Sequence, residues 1–305
     1  GSGANDAAYQ AWVTDSTTPA NRARVDGVVQ ALPLLGMLIV FGALDPLTRA
    51  GQWTTFFGVV GGFTALVGVA AWFGVRSTAT PQPGGSYLDT VLHGLRPETI
   101  RRQPRLYLAF ATWAVLGVSF QVFMPYLIIY VNTRLAIDDY PLVLASVLIG
   151  AALVSGIGTT LLGRRDLVAV IVPFTLTYLV GLVAMFFARD LIAVIVAGIV
   201  MMGAFLLTGA ALSATVRNLT PPDRAGQVQG VRMIAVVLVP MVIGPFIGAA
   251  VISGADETYV DLGVVKQVPT PWIFLAAAAV AVLSTLPALA LRRTRTPVPQ
   301  PEGRP

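Results

Sequence analysis

The chain is dominated by apolar runs of about 20 residues, and short polar turns separate them. An α-helix rises about 1.5 Å per residue, so a run of this length crosses the hydrocarbon core of a bilayer. Hydrophobic residues make up 55% of the 305 residues and charged residues only 11%, well below the usual share in soluble chains. The alternating pattern of membrane β-strands is absent from the sequence. The sequence therefore predicts an all-α integral membrane protein.

Eight of the apolar runs are long enough to be complete spans, and a partial span precedes them at residues 3–14. If the loops are assigned to alternating sides, 16 of the 20 Lys and Arg residues fall on one side. The positive-inside rule makes that side cytoplasmic, and it includes the C-terminus. The sequence therefore predicts a multi-pass protein of the cell membrane. The complete spans are predicted at residues 28–48, 53–75, 106–131, 141–163, 167–188, 191–216, 229–253 and 271–291.

Two cytoplasmic turns have nearly the same sequence, TPANRA at 18–23 and TPPDRA at 220–225. Six predicted spans lie between them, so the turns mark equivalent points in two halves of a duplicated bundle. The longest loop, residues 77–104, joins the halves on the same side. Its apolar residues recur at helical spacing from residue 87 to residue 95, which predicts a short amphipathic helix.

The residue inventory excludes several kinds of chemistry. There is no cysteine, so disulfides and thiolate metal sites are ruled out, and the single histidine, His93, falls in the long loop. No metal-ligand cluster, nucleophile elbow or phosphate-binding loop is present in the sequence. We therefore expect neither enzyme activity nor a bound cofactor. Topology explains the arginines in the turns, so no nucleic-acid partner is expected. Arg outnumbers Lys 19 to 1, which indicates GC-rich coding and a bacterial source.

A six-span repeat with a long cytoplasmic loop between its halves resembles the major facilitator superfamily, whose halves are parallel repeats. The resemblance implies a two-bundle fold that lacks about the first three and a half helices. Residues 1–76 would be the remainder of the N-terminal bundle, from the end of helix 4 to helix 6. Residues 77–104 would be the loop, residues 105–292 the C-terminal bundle of helices 7 to 12, and residues 293–305 a cytoplasmic tail.

Two further stretches resemble family motifs. The turn GTTLLGRRD at 158–166 is similar to the superfamily's Gly-x-x-x-Asp-Arg-x-Gly-Arg-Arg signature, with Leu162 in place of the internal Asp. Residues 5–15, NDAAYQAWVTD, resemble helix 4 of the glycoside–pentoside–hexuronide cation symporters. That resemblance implies that Asp6 binds a sugar or a coupling cation. Gln10 or Trp12 stands where those symporters carry an aromatic residue that faces the sugar.

Polar groups inside a span are costly, so the few that occur are candidates for function. Asp6 is the first, unless it lies away from mid-membrane depth. Gln121 lies in the middle of its span, shortly before Pro125, which removes a backbone hydrogen bond and permits a kink. Tyr126 and Tyr130 either line a cavity or pack in the bundle or the aromatic belt. The candidates for substrate or cation binding are Asp6, Gln10, Trp12, Gln30, Gln121 and Tyr126.

The arginines next to the spans are candidates for gating on the cytoplasmic side. Arg232 lies about one turn inside its span, where it either extends to the interface or binds an anionic substrate. The glycines have a structural interpretation, because small residues let helices approach closely. Pro240 and Pro245 add bends to the predicted span at residues 229–253, which also contains Arg232. The gating candidates are Arg22, Arg24, Arg164, Arg165, Arg224 and Arg232, and the packing glycines are Gly150, Gly156, Gly158, Gly244 and Gly248.

These observations predict a secondary transporter that moves a small polar solute, such as a sugar, by alternating access. Coupling to H⁺ or Na⁺ is expected. One alternative is multidrug efflux by a transporter of the same superfamily. An alternative of another class is a membrane scaffold or partner subunit that does not transport. The expected partners are the lipid bilayer and the solute, and the full-length protein is expected to be a monomer.

Overall fold

The structure is a computed structural model, and it describes residues 39–74, 96–137, 140–162, 167–220, 225–261 and 263–294, together with residues 32, 35, 36 and 94. Within these ranges the chain is helical except for turns and one small β-hairpin. The amphipathic helix predicted in the long loop and His93 lie outside the described residues.

Nine helices have bounds among the described residues, and residues 32, 35, 36 and 94 are also helical. Some of them change their hydrogen-bonding pattern along their length, and each is counted here as one helix. Helix α1 includes the π-helical turn Val40–Leu44 and continues as Asp45–Arg49. The others are α2 (Trp53–Gly74), α3 (Pro97–Arg102), α4 (Pro104–Arg134), α5 (Tyr140–Leu162), α6 (Leu167–Phe187), α7 (Leu191–Leu219), α8 (Ala225–Ile252) and α9 (Trp272–Arg293).

An antiparallel hairpin, β1 (Thr258–Asp261) and β2 (Val264–Gln267), separates α8 from α9. Gly263 turns the chain between the two strands with a φ of 80°, a conformation that suits glycine. An ion pair between Arg134 and Glu257 links the end of α4 to the start of this hairpin segment. We call this side of the molecule the hairpin end.

Seven of the described helices are long and apolar enough to cross a membrane. They are α2 and α4 to α9, and they coincide with seven of the eight predicted spans. The remaining predicted span, residues 28–48, is described only in part, and its described residues are helical. The prediction of an all-α membrane fold is therefore confirmed.

The outer surfaces of these helices are strongly apolar. Trp72 of α2 is 85% exposed, and Phe246 of α8 is 75% exposed. Large apolar side chains exposed over whole helices are favourable in lipid, whereas water would penalise them. The protein is therefore a multi-pass membrane protein.

Helix α4 lies at the centre of the described bundle. It packs along α9 on one side and α8 on another, and it also contacts α7. Helix α6 packs between α7 and α9, while α5 packs against α7. Since α4 packs along both α8 and α9 and also contacts α7, its residues contribute to several of the interfaces of the described bundle.

A buried hydrogen-bond network ties α4 to α6 and α9. The Ser119 hydroxyl donates to the Ala277 carbonyl oxygen at 2.7 Å, and Ser119 Oγ lies 3.1 Å from the Tyr178 hydroxyl. The single hydroxyl hydrogen of Ser119 is used on Ala277, so Tyr178 donates to Ser119. Both side chains are fully buried. Three helices thus share one polar contact within an otherwise apolar core.

Removing the Ser119 hydroxyl should destabilise the bundle. The Ser119→Ala variant leaves the Tyr178 hydroxyl and one carbonyl oxygen without this partner, at a cost of about 1 kcal/mol. The thermal unfolding midpoint of the purified protein in detergent is the measurement. Thr177→Ala is the matched control, because Thr177 is exposed and bonds only to Pro173 of its own helix. Equal midpoints for the two variants would show that the network contributes nothing.

Candidate functional site

The most irregular part of the described bundle is the contact between α4 and α8. On α4, Trp113, Gly117 and Gln121 are spaced by four residues and share one face. The facing residues of α8 are also spaced by multiples of four. We call this contact the α4–α8 seam, and it consists of Trp113, Gly117, Gln121 and Tyr126 of α4 with Arg232, Pro240, Gly244 and Gly248 of α8.

Glycine makes the close approach of the seam possible. A Cβ atom added to Gly244 would meet the Gln121 backbone carbon at 2.8 Å and the Val118 carbonyl oxygen at 2.9 Å. At Gly248 an added Cβ would collide with the Val122 carbonyl oxygen and the Tyr126 ring. The predicted packing role of these two glycines is therefore confirmed.

The glycines of α5 behave differently from one another. Added Cβ atoms at Gly150 and Gly158 would run into side chains of α7, those of Ile199 and Leu207. At Gly156 an added Cβ would have no neighbour within 4 Å. The packing role predicted for Gly156 is wrong, because this residue points away from the α5–α7 contact.

A methyl group on Gly248 should separate α4 from α8. The backbone oxygen of Val122 has little freedom to move, so Gly248→Ala should cost about 1–3 kcal/mol. The measurement is the fraction of detergent-solubilised protein that stays monodisperse after heating. Gly156→Ala is the control and should remain at wild-type stability or above, since its Cβ enters open space. The same loss in both variants would contradict the steric explanation.

Gln121 lies near the middle of α4, where the helix loses its regularity. The side chain is half-buried, and a 3₁₀ turn follows at Met124–Tyr126. Pro125 has no N–H, so the Gln121 carbonyl oxygen lacks the donor that a regular helix would provide. The predicted break at Pro125 is thus present. It places an amide side chain and a carbonyl oxygen that lacks its helical donor at the same point of the span.

Tyr126 joins the two helices of the seam. Its hydroxyl donates to the Pro245 carbonyl oxygen at 3.0 Å, and its ring lies against Gly248. Tyr130, one turn further, is fully buried with its ring edge-on to Phe274. Both tyrosines therefore follow the packing alternative of the sequence analysis, and the hydroxyl of Tyr126 is engaged in a bond between helices.

Arg232 lies at the opposite end of the seam from Tyr126. Its guanidinium carbon is 5.1 Å from the centre of the Trp113 ring, a cation–π geometry. The π-helical turn Ile234–Leu238 follows directly. Because Pro240 has no N–H, the Val236 carbonyl oxygen also loses its regular donor. Both helices of the seam therefore depart from regular α geometry.

An aromatic pair includes the residue that precedes Gln121 in the chain. Phe120 of α4 and Phe205 of α7 stack with ring centres 4.3 Å apart and planes 15° from parallel. The ring of Tyr178, a residue of the buried network, also packs against Phe205, with ring centres 5.7 Å apart. Sequence reasoning missed this pair because α7 is apolar along its whole length, and nothing in such a run marks Phe205.

Among the described residues, a hydrogen bond joins α1 to α5. The Tyr140 hydroxyl, at the start of α5, donates to Asp45 Oδ1 of α1 at 3.1 Å. Asp45 is 9% exposed. Sequence reasoning also missed this pair, although an acidic residue within an apolar run was an available signal. The contact lies at the hairpin end of α5.

The structure brings Gln121 and Tyr126 to one segment of α8, around Gly244 and Gly248, and places Arg232 three to four turns away along the seam. Among the described residues there is no group of His, Cys, Asp and Glu side chains that would hold a metal ion. The other candidates lie outside the described residues, and these are Asp6, Gln10, Trp12, Arg22, Arg24, Gln30, Arg164, Arg165 and Arg224.

The seven described helices that are long and apolar enough to cross a membrane define a multi-pass membrane protein. The family model of the Major Facilitator Superfamily matches residues 1–239 and residues 162–305. The chain therefore belongs to this superfamily and is a secondary transporter. No curated protein sequence matches the chain.

Proposed function

We propose that this transporter moves a small polar solute, such as a sugar, by alternating access between its two halves. The observation that supports the proposal is the position of Gln121. An amide both donates and accepts hydrogen bonds, which suits hydroxyl groups. The freed carbonyl oxygen next to it adds an acceptor at the same depth. Transporter sites are commonly formed where a spanning helix is interrupted in this way.

The aromatic pair completes this side of the proposed site. Phe120 precedes Gln121 in the chain and stacks on Phe205, and the parts of the two rings that the stacking leaves uncovered would add apolar surface near the amide. A sugar ring presents hydroxyl groups at its edge and C–H groups on its face, so an amide beside an aromatic surface suits both. In this proposal Gln121 orients the solute and the aromatic pair supports its ring.

Coupling to H⁺ or Na⁺ is part of the same proposal. Asp6 is the residue that we assign to the coupling cation or to a solute hydroxyl, because it resembles the helix-4 acid of the cation symporters. Gln10, Trp12 and Gln30 would complete that wall of the site. Arg232 and the other arginines of the turns would act in gating.

Uptake by proteoliposomes tests the role of Gln121. The purified protein is assayed with a panel of radiolabelled hexoses, pentoses and methyl glycosides under an imposed Na⁺ or H⁺ gradient. Gln121→Ala should lower initial uptake about tenfold, since a lost hydrogen bond of about 1.4 kcal/mol corresponds to that factor. Gln52→Ala is the control, because Gln52 is exposed between α1 and α2. Unchanged uptake by Gln121→Ala would remove this residue from the site.

Asp6→Asn tests coupling separately. Uptake driven by the cation gradient should be lost, while exchange of the solute without a gradient should persist at a reduced rate. Full gradient-driven uptake by Asp6→Asn would contradict the assignment of Asp6. Expulsion of apolar cations with no sugar dependence would favour the efflux alternative. Absence of any transport by the wild-type protein would favour the scaffold alternative.

A further inference from the structure

A fully apolar cavity lies between α4, α5, α6 and α7, towards the hairpin end. Thirteen residues line it, and none of them carries a polar side chain. Four are methionines, contributed by three helices, and branched aliphatic residues of α5 form the facing wall. We call this cavity the methionine pocket, defined by Met124, Met185, Met201, Met202 and Val147.

The pocket exists because α4 and α5 take different partners. Helix α4 packs along α8 and α9, whereas α5 packs along α7. Although α4 and α5 are consecutive, each packs mainly against other helices, and residues of α7 line the space that is left between them. Ile128 of α4, which is 37% exposed, lies at the rim.

The pocket adjoins both the proposed polar site and the contact between α1 and α5. Met124 follows Gln121 by three residues and lies in the same interrupted segment of α4. On the facing wall, Val143 lines the pocket one turn after Tyr140, which bonds to Asp45 of α1. A solute held at Gln121 would therefore have the pocket next to it, between Gln121 and the contact of Tyr140 with Asp45.

The chemistry of the lining selects the kind of group that enters. A cavity without polar partners does not hold ordered water well, whereas it accepts apolar molecules. Methionine side chains are flexible and polarisable, so they adapt to groups of different shape. An apolar aryl or alkyl group fits this environment, and a hydroxyl group placed there would lose its hydrogen bonds.

We infer that the methionine pocket is a subsite for an apolar group of the transported solute. The solute is then amphipathic, with its polar part at Gln121 and an aryl or alkyl substituent in the pocket, as in an aryl glycoside. This inference rests on the proposed function, and it adds the substrate class.

Cysteine protection tests the subsite. The chain contains no cysteine, so single-cysteine variants need no other change. Val147→Cys and Ile128→Cys place thiols on opposite walls of the pocket, and Val180→Cys, at a residue that is 62% exposed on α6, is the matched control. The rate of labelling by N-ethylmaleimide is measured in proteoliposomes. The probes are phenyl β-D-glucoside, methyl β-D-glucoside and tetraphenylphosphonium.

Phenyl β-D-glucoside should slow labelling of both pocket variants several-fold, while methyl β-D-glucoside should leave it unchanged. Neither probe should alter labelling of Val180→Cys. The inference is overturned if phenyl β-D-glucoside and tetraphenylphosphonium both fail to protect, or if methyl β-D-glucoside protects equally. It is also overturned if the control slows in parallel, because the probes then act through the bilayer. If one of the two pocket variants misfolds, the labelling rate of the other still tests the inference.

Labelling of Gln121→Cys with the same probes separates the two proposals. Protection there by methyl β-D-glucoside, with no apolar protection in the pocket, supports the polar site and rejects the subsite. Protection of the pocket by tetraphenylphosphonium, with no glycoside effect at either position, keeps an apolar subsite. That result rejects the polar solute and indicates efflux of apolar cations.

Discussion

Within the hydrocarbon core of a bilayer there is no water to satisfy a backbone N–H or C=O, so each group needs a partner within the protein. This constraint explains why the described spans are helices, and it makes every interruption of a helix informative. Pro125 interrupts α4 and Pro240 interrupts α8, and both breaks occur along the contact of these two helices. A carbonyl oxygen that has lost its helical N–H donor is tolerated where it is surrounded by protein or lines a cavity. In contact with lipid it would cost free energy, because lipid offers no hydrogen-bond donor.

The contacts of α4 with its neighbours are of two kinds. The Ser119 network holds α4, α6 and α9 through hydrogen bonds that are fully buried. The seam with α8 is held by close contact at glycines, and the helix there contains a π turn and two prolines. Across this seam the structure gives the hydrogen bond from Tyr126 to Pro245 and the cation–π contact of Arg232 with Trp113, so α4 and α8 are joined mainly by close packing.

Sequence reasoning located the spans because their length and apolar composition follow directly from bilayer thickness. It also located the close approach of α8, since Gly244 and Gly248 are spaced by one helical turn. It failed to distinguish Phe205, which stacks on Phe120, from Phe246, which faces outward. A helix that is apolar on all sides carries no periodicity that separates its buried face from its lipid face.

The same lack of contrast hid the methionine pocket. Met201 and Val147 are ordinary residues of apolar runs, and only the space left between α4 and α5 turns them into a cavity lining. That space depends on which helix each one packs against, and a single sequence does not encode these choices as a local pattern. The polar candidates were easier to find, because an amide such as Gln121 is conspicuous in an apolar run.

The described bundle supplies an amide, a freed carbonyl oxygen, an aromatic pair and an apolar pocket for the proposed site, and none of these groups carries a charge. Such groups orient a solute and fill space around it, but a coupling cation needs an anionic partner. In the proposed mechanism that partner is Asp6 of the first half. In that mechanism the first half supplies the anionic group and the other half supplies uncharged groups for the solute. Under this proposal the two groups of residues would act together only when both halves face the same solute, which would link cation binding to solute binding.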